Sequence, residues 1–320
     1  MDNDAAPPTP PPRAPSVPLV HPQTANGVLD SSSLPTEPTP GLPTPEEILA
    51  DPERKQLSDE KNEVKVEKLS NGLVVKRGKR LAVELVAIDY MREHLMKEDG
   101  EMVIPVTRYR GFYRSDDIDY LFLTHVPGLS LESQWPSLSP STRSSVLTQL
   151  ATILRTLRSF TAPYIGRLNE TQSFQVPWRP SAPYRTREEY LRGLRAAAPV
   201  EASRWETGGD LASLLEPPTT ASEDDDRPLG VLTHGDVSAR NILVDPSLPP
   251  GHQIVGIIDW ECLEFCPPEM EYLRTRRELE KGWSKEEEAA REILKVVEEV
   301  SGVEGERLEK SWEWYKEMVM

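Results

Sequence analysis

Cysteine is almost missing from this chain: Cys262 and Cys266 are the two in 320 residues. A secreted disulfide scaffold carries more, and a structural zinc site needs four ligands. The five histidines are scattered, so the sequence spells out no Cys/His metal cluster. Two thiols in a reducing compartment is the expected state. Long apolar runs are also lacking; none approaches the about 20 residues of a membrane span. The first residues show no charged start followed by an apolar stretch, so no secretory signal is expected. A surplus of basic residues is absent too. Fifty-three acidic against 37 basic residues give a formal charge of −16, which excludes a general nucleic-acid binder with a basic face. The charge is compatible with a cationic small substrate, although net charge mostly reports solubility. These absences together predict a soluble, cytoplasmic protein without membrane or nucleic-acid partners.

Proline is plentiful, with 31 residues, many of them early in the chain. Residues 1–45 are rich in Pro, Ser, Thr and Ala and hold few large apolar side chains. Such a stretch buries too little surface to offset its ordering entropy, so it is expected to be a disordered tail. Within it, Pro8-Thr9-Pro10-Pro11-Pro12-Arg13 fits a polyproline ligand of the SH3 type. Proline-rich tails produce that match by chance, so plain disorder is the first expectation and an SH3-type contact the second.

From there the order of elements is strand, strand, helix, strand, strand. Thr44-Pro45-Glu46-Glu47 starts a short helix. Val64–Leu69 and Leu73–Lys76 flank the turn residues Asn71-Gly72, which predicts a hairpin. A helix follows over Leu81–Met91, then strands at Val103–Val106 and Tyr120–Leu123. Beyond Pro127-Gly128 the character becomes helical. Ser139-Pro140 opens a helix with Val146, Leu150, Ile153, Leu154 and Leu157 inward, and another is expected over Arg187–Ala197. Residues 201–229 look like an irregular insertion. Two buried strands, Asn241–Val244 and Gln253–Ile258, surround the turn Pro246–Gly251. Ser284 with Glu287 predicts a capping box for a last helix, with Ala290, Ile293, Leu294, Val297 and Val300 inward. The fold class is α+β. The expected division is a tail to residue 45, a first lobe over 46–125 and a second over 126–320.

Three separate segments carry chemistry. His234-Gly235-Asp236 is followed by Asn241 five positions after the aspartate. Asp236 is placed to accept or orient a hydroxyl proton, and Asn241 to offer an oxygen to Mg²⁺, which prefers hard ligands. Asp259 follows the apolar run Ile254–Ile258, where a carboxylate is expensive unless it binds something, and a divalent metal is its natural partner. Lys76 ends a strand and Glu84 lies in the next helix, so that the lysine reaches phosphates and the glutamate pairs with it. Each element alone reads as surface or chance. Their order, Lys, Glu, Asp-x-x-x-x-Asn, then a strand with Asp, is what phosphoryl transfer from a nucleotide requires.

The stretches "LVVKRG" (Leu73–Gly78), "VPGLSLESQW" (Val126–Trp135), "LTHGDVSARNILV" (Leu232–Val244) and "GIIDWE" (Gly256–Glu261) resemble the aminoglycoside phosphotransferase and choline kinase family, above all its fungal members of unassigned substrate. The resemblance runs from about residue 64 to about residue 275. It implies a two-lobed, protein-kinase-like fold and an ATP- and Mg²⁺-dependent kinase acting on a hydroxyl of a small molecule. It also implies Asp236 as catalytic carboxylate, Asn241 and Asp259 as metal ligands, and Lys76 as the phosphate-contacting lysine with Glu84 as partner. Backbone groups of Thr124-His125-Val126 are implied as the adenine hinge, and His234 and Arg240 as supports. No G-x-G-x-x-G loop precedes Lys76, Ser238 stands where protein kinases commonly carry lysine, and Trp260-Glu261 follows Asp259 in place of Phe-Gly. These departures favour the small-molecule branch over a protein kinase. Leu123-Thr124-His125 and Cys262-Leu263 depart from the family's own pattern, so no substrate is carried over. Glu261, Glu264, Glu269 and Glu271 favour a cationic acceptor if they line the site, or form a solvated face or a helix N-terminus if they do not. The competing reading is a nucleotide-binding pseudokinase, or a scaffold that uses the proline-rich tail.

Overall fold

Thr44 opens the first helix, α1 (Pro45–Ala50). Its hydroxyl accepts the Glu47 N–H at 3.3 Å, and the Glu47 carboxylate accepts the Thr44 N–H at 2.8 Å. This is the capping box that the sequence predicts. The computed structural model describes residues 35–36, 40–58, 63–95, 103–168, 183–197 and 229–319. Pro8–Arg13 and nearly all of the insertion expected at 201–229 lie outside the described residues.

After α1 come β1 (Lys55–Gln56), β2 (Lys65–Lys68), β3 (Leu73–Gly78), α2 (Ala82–Leu95), β4 (Tyr109–Ser115) and β5 (Ile118–Thr124). The strands form one antiparallel sheet in the order β1-β2-β3-β5-β4. Asn71-Gly72 turns β2 into β3 as expected, with Gly72 at φ 80°, a region open to glycine and strained for most other residues.

Alternation along these strands decides where Lys76 goes. Successive strand residues face opposite sides of a sheet. Val75, Tyr120 and Phe122 pack on the outer face with Ile48 of α1. Val74, Leu121 and Leu123 pack on the inner face with Leu81, Leu85, Ile88 and Met91 of α2. Lys76 therefore shares the inner face with Val74, and Glu84 sits on the same buried stripe of α2 as Leu85 and Ile88.

One strand was misplaced by the sequence pattern. Val103–Val106 forms no strand; Val106 makes an isolated parallel bridge to Ile257, and the Ile257 N–H donates to the Pro105 carbonyl at 2.7 Å. Pro105 has no N–H to give a ladder. The strand beside β5 is β4, where Arg110, Gly111 and Arg114 mask the apolar signal and the register shifts between Tyr109 and Gly111. Asp116 and Asp117, both at positive φ (48° and 59°), reverse β4 into β5.

The second half holds β6 (Leu129–Ser130), α3 (Leu131–Gln134), α4 (Pro140–Arg158), β7 (Thr161–Ala162), β8 (Gly166–Arg167) and α5 (Arg187–Ala197). It continues with β9 (Gly230–Thr233), β10 (Ile242–Val244), β11 (Ile254–Ile257), β12 (Glu264–Cys266), α6 (Met270–Glu280), α7 (Glu287–Ser301) and α8 (Gly305–Val319). Two small sheets, β11-β10-β6 and β7-β9-β12-β8, are set among the helices. The five apolar residues expected inside α4 are all buried. β9 and β12 escaped the sequence reading because every residue in them is buried, leaving no alternation to read. The capping box expected from Ser284 and Glu287 does not form. α7 begins behind Glu286 without a side-chain cap, and the Ser284 hydroxyl donates to Glu132 at 3.2 Å. Ala290, Ile293 and Val297 are buried as expected, while Leu294 and Val300 are half-buried.

The architecture is α+β: an antiparallel five-stranded sheet with α1 and α2, followed by a mainly helical part that holds two small sheets. Among the described residues no helix is long and apolar enough to cross a membrane.

Candidate active site

The inner face of the first sheet meets the end of β11 at a single lysine. Lys76 Nζ donates to both Glu84 carboxylate oxygens at 2.8 Å and to Asp259 Oδ1 at 2.7 Å. Burial works against the charge on Lys76, but the carboxylates of Glu84 and then Asp259 outweigh it and hold the ammonium above its ordinary range. For Asp259 burial acts upward, and the nearby ammonium wins and holds the carboxyl below its ordinary value. Glu84 goes the other way. It is 1% exposed, and burial, helped by the Asp259 charge, pushes it up against the pull of Lys76. Asp259 adopts left-handed backbone angles, φ 70° and ψ 57°, a geometry that costs a non-glycine residue on the order of 1–2 kcal/mol.

The loop between β9 and β10 carries the second group. The Asp236 N–H donates to His234 Nδ1 at 3.1 Å, which leaves that nitrogen without a proton. Nε2 then carries the hydrogen and donates to the Ile258 carbonyl at 3.2 Å. Both ring nitrogens are thus held by backbone groups, and the ring lies 4.5 Å from that of Trp260. His234 ties the loop to the residue before Asp259. A second tie joins them, because the Ile258 N–H donates to the Asn241 carbonyl at 3.0 Å.

Asn241 Nδ2 donates to the Asp236 carbonyl at 3.0 Å and to Asp236 Oδ2 at 2.9 Å. Both partners are acceptors, so the nitrogen of this amide must face them and its oxygen turns away. Asp259 Oδ1 faces Lys76, and among the described residues no hydrogen bond engages Oδ2. Two hard oxygens, Asn241 Oδ1 and Asp259 Oδ2, remain for a cation. That donor set fits Mg²⁺, which takes one or two protein oxygens and keeps several waters. No cluster of three or more His, Cys, Asp or Glu suited to a metal occurs among the described residues, so the metal reading rests on Asp259 with Asn241.

Gly235 is the tight point of the loop. It has φ 80°, and a Cβ there would lie 2.1 Å from Arg274 Nη1 and 2.9 Å from the Cys262 carbonyl. Its N–H donates to both Glu271 oxygens, at 3.0 and 3.2 Å, and its carbonyl accepts from Arg274 at 3.2 Å. The Thr275 hydroxyl reaches the Val237 carbonyl at 3.4 Å. Glu278 accepts from Arg240 Nη1. Glu271, Arg274, Thr275 and Glu278 are one stripe of α6 in helical spacing, and all four grip this loop. The sequence reading missed the stripe; its signal was polar residues at i, i+3, i+4 and i+7 in a helix after the Asp259 strand.

The acidic residues expected beyond Asp259 divide by structure. Glu264 is buried and paired with Arg274 at 3.2 Å, and Glu271 serves Gly235. Glu269 is buried as well. Glu269 is the N-cap residue of α6 and Glu271 lies in its first turn, so these two stand at a helix N-terminus, one of the expected alternatives, while Glu264 is on neither a solvated face nor a helix start. Glu261 alone is exposed at the rim; the surrounding protein mass and then the Asp259 charge push its carboxyl upward.

At the expected hinge, the Thr124 N–H donates to the Arg108 carbonyl at 2.8 Å and the His125 N–H to the Gly72 carbonyl at 3.3 Å. The Thr124 carbonyl accepts from the Thr107 hydroxyl at 2.8 Å. The Val126 carbonyl accepts the Gly128 N–H at 3.0 Å. Of the backbone N–H groups of the three residues, that of Val126 is the one without a partner in these bonds. Cys262 and Cys266 are free thiols.

No curated protein matches the chain. Among solved structures, an aminoglycoside-3'-phosphotransferase of type VIII is similar at 18% identity and TM-score 0.46, covering 83% of this chain and 94% of its own. The ADP-bound aminoglycoside phosphotransferase APH(2'')-Ib is similar at 15% identity and TM-score 0.45, over 82% of this chain and 81% of its own. The GDP and kanamycin complex of APH(2")-IIia is similar at 15% identity and TM-score 0.46, over 81% and 80%. A family model, the phosphotransferase enzyme family, matches residues 55–294. The chain belongs to that family.

Proposed function

We propose that this member of the phosphotransferase family transfers the terminal phosphoryl group of Mg·ATP to a hydroxyl of a small molecule. The observation that carries the reading is Lys76 Nζ held between Glu84 and Asp259, next to a loop that presents Asp236 and Asn241 together. Phosphoryl transfer needs positioning and charge neutralisation more than covalent chemistry from the protein, and these residues supply both.

In this reading Lys76 contacts the phosphates and Glu84 fixes its position. The backbone of Thr124–Val126 receives the adenine, with the Val126 N–H as donor. Asn241 and Asp259 would hold Mg²⁺, which when bound neutralises phosphate oxygens. Asp236 orients the acceptor hydroxyl and takes its proton as the acceptor oxygen bonds to phosphorus and the nucleoside diphosphate leaves. His234 holds the loop to the β11 end and is not a proton carrier, because both its nitrogens are engaged.

An acceptor screen tests the reading. Purified full-length protein is incubated with Mg·ATP and a panel of hydroxyl-bearing metabolites, aminosugars and amino alcohols included, and phosphorylated products are sought by mass spectrometry. A product formed by the wild type and lost in Asp236→Ala supports it. Nucleotide binding without turnover on any acceptor or on water moves the assignment to a nucleotide-binding scaffold. Phosphorylation of generic peptides alone would make it a protein kinase.

A further inference from the structure

We propose that Arg240, braced by Glu278, is a positioning residue that selects which oxygen of Asp236 faces the acceptor. This rests on the phosphotransfer reading and goes beyond it. A carboxylate offers about four lone-pair directions. Arg240 Nη2 takes one on Oδ1 at 3.0 Å and one on Oδ2 at 3.1 Å, and Asn241 Nδ2 takes a second on Oδ2 at 2.9 Å. Oδ2 is saturated. A single direction remains, on Oδ1, and the acceptor hydroxyl must use it.

Arg240 holds this orientation because it is itself held. Its other terminal nitrogen, Nη1, donates to Glu278, which is 7% exposed on α6. A planar guanidinium that serves one carboxylate from each terminal nitrogen has little freedom to rotate. Glu278 is fixed in turn, because α6 grips the same loop through Glu271, Arg274 and Thr275. The chain Glu278–Arg240–Asp236 thus transmits the position of a helix to one carboxylate oxygen. A lysine at 240 would reach one carboxylate at a time and would not define the plane.

The test uses slow Mg·ATP hydrolysis, with water as acceptor, for the wild type, Arg240→Ala, Arg240→Lys and Glu278→Gln. Arg240→Ala is expected to lower kcat on the order of 100-fold, the cost of misplacing a reacting group by about 1 Å, with KM for ATP changed less than about threefold. Arg240→Lys is expected to recover only part of the loss, and millimolar guanidinium to restore Arg240→Ala several-fold, which a fold defect would not show. Glu278→Gln keeps an acceptor for Arg240 and is expected to lose less than Arg240→Ala. Unchanged kcat in Arg240→Ala, or equal losses in kcat and ATP affinity that guanidinium does not reverse, overturns the proposal. A crystal structure of Arg240→Ala gives a readout that needs no turnover. The Asp236 carboxylate is expected to leave its wild-type orientation, and an unmoved carboxylate overturns the positioning role. Failure of the wild type to bind Mg·ATP would instead strike the phosphotransfer reading.

Discussion

Lys76 Nζ lies 2.7 Å from Asp259 Oδ1 although 183 positions separate the two residues. The ion pair joins the inner face of the first sheet to the end of β11. It also leaves one ammonium to balance two carboxylates, since Glu84 contacts the same nitrogen at 2.8 Å.

That imbalance predicts a non-additive stability pattern. Lys76→Met strands the Glu84 carboxylate, which is 1% exposed, and breaking such a buried pair costs about 3–5 kcal/mol. Adding Glu84→Leu places an apolar side chain beside Leu81, Leu85 and Ile88, and is expected to recover more than half of the loss. Urea unfolding of the single and double variants measures this. Equal stability of the two would show that Glu84 carries no buried charge.

Asp236→Asn can keep its remaining oxygen toward Asn241 Nδ2 and Arg240 Nη2, losing the Arg240 bond to Oδ1, while an amide nitrogen replaces the oxygen that would take the proton. The expected result is a kcat for nucleotide turnover lower by about 10²–10⁴, with Mg·ATP affinity within about twofold. Rapid-quench turnover and equilibrium binding on the same preparation check it. A parallel loss of binding would assign Asp236 to the nucleotide rather than the acceptor.

Glu278 gives the pH dependence. Burial, opposed by Arg240 and reinforced by Asp236, pushes its carboxyl up to about 7. A carboxyl raised above its unfolded value favours the folded state below that unfolded value, and the benefit is lost as pH rises through the folded one. Between about pH 4.5 and about pH 7.5 the wild type should therefore lose on the order of 1–3 kcal/mol relative to Glu278→Gln. Thermal midpoints of the two proteins across this range test it; parallel curves would mean that Glu278 stays ionised throughout.

Much of the site was legible because its residues stand at fixed offsets in short segments. Asp236 and Asn241 share one loop, Asp259 ends an apolar run, and the Asn71-Gly72 turn sets the register that carries Lys76 inward. Glu84 was legible through its place in the helix that follows the Lys76 strand, and not by itself, since alone it reads as a surface carboxylate. The stripe from Glu271 to Glu278 was not. Its residues look like a solvated helix face until β12 and the loop after β9 are folded against them. β4 was hidden by its arginines, and β9 and β12 by uniform burial, because a pattern of period two needs one wet face to be seen.

Calorimetric titration of ATP into the wild type and Asp259→Ala, with Mg²⁺ and with chelator, tests the central claim most directly. The account predicts that the wild type binds ATP tightly only with Mg²⁺, and that Asp259→Ala removes the Mg²⁺-dependent part while Lys76 still supports weak metal-independent binding. ATP binding that is the same with and without Mg²⁺, or that survives Asp259→Ala at wild-type strength, would contradict it.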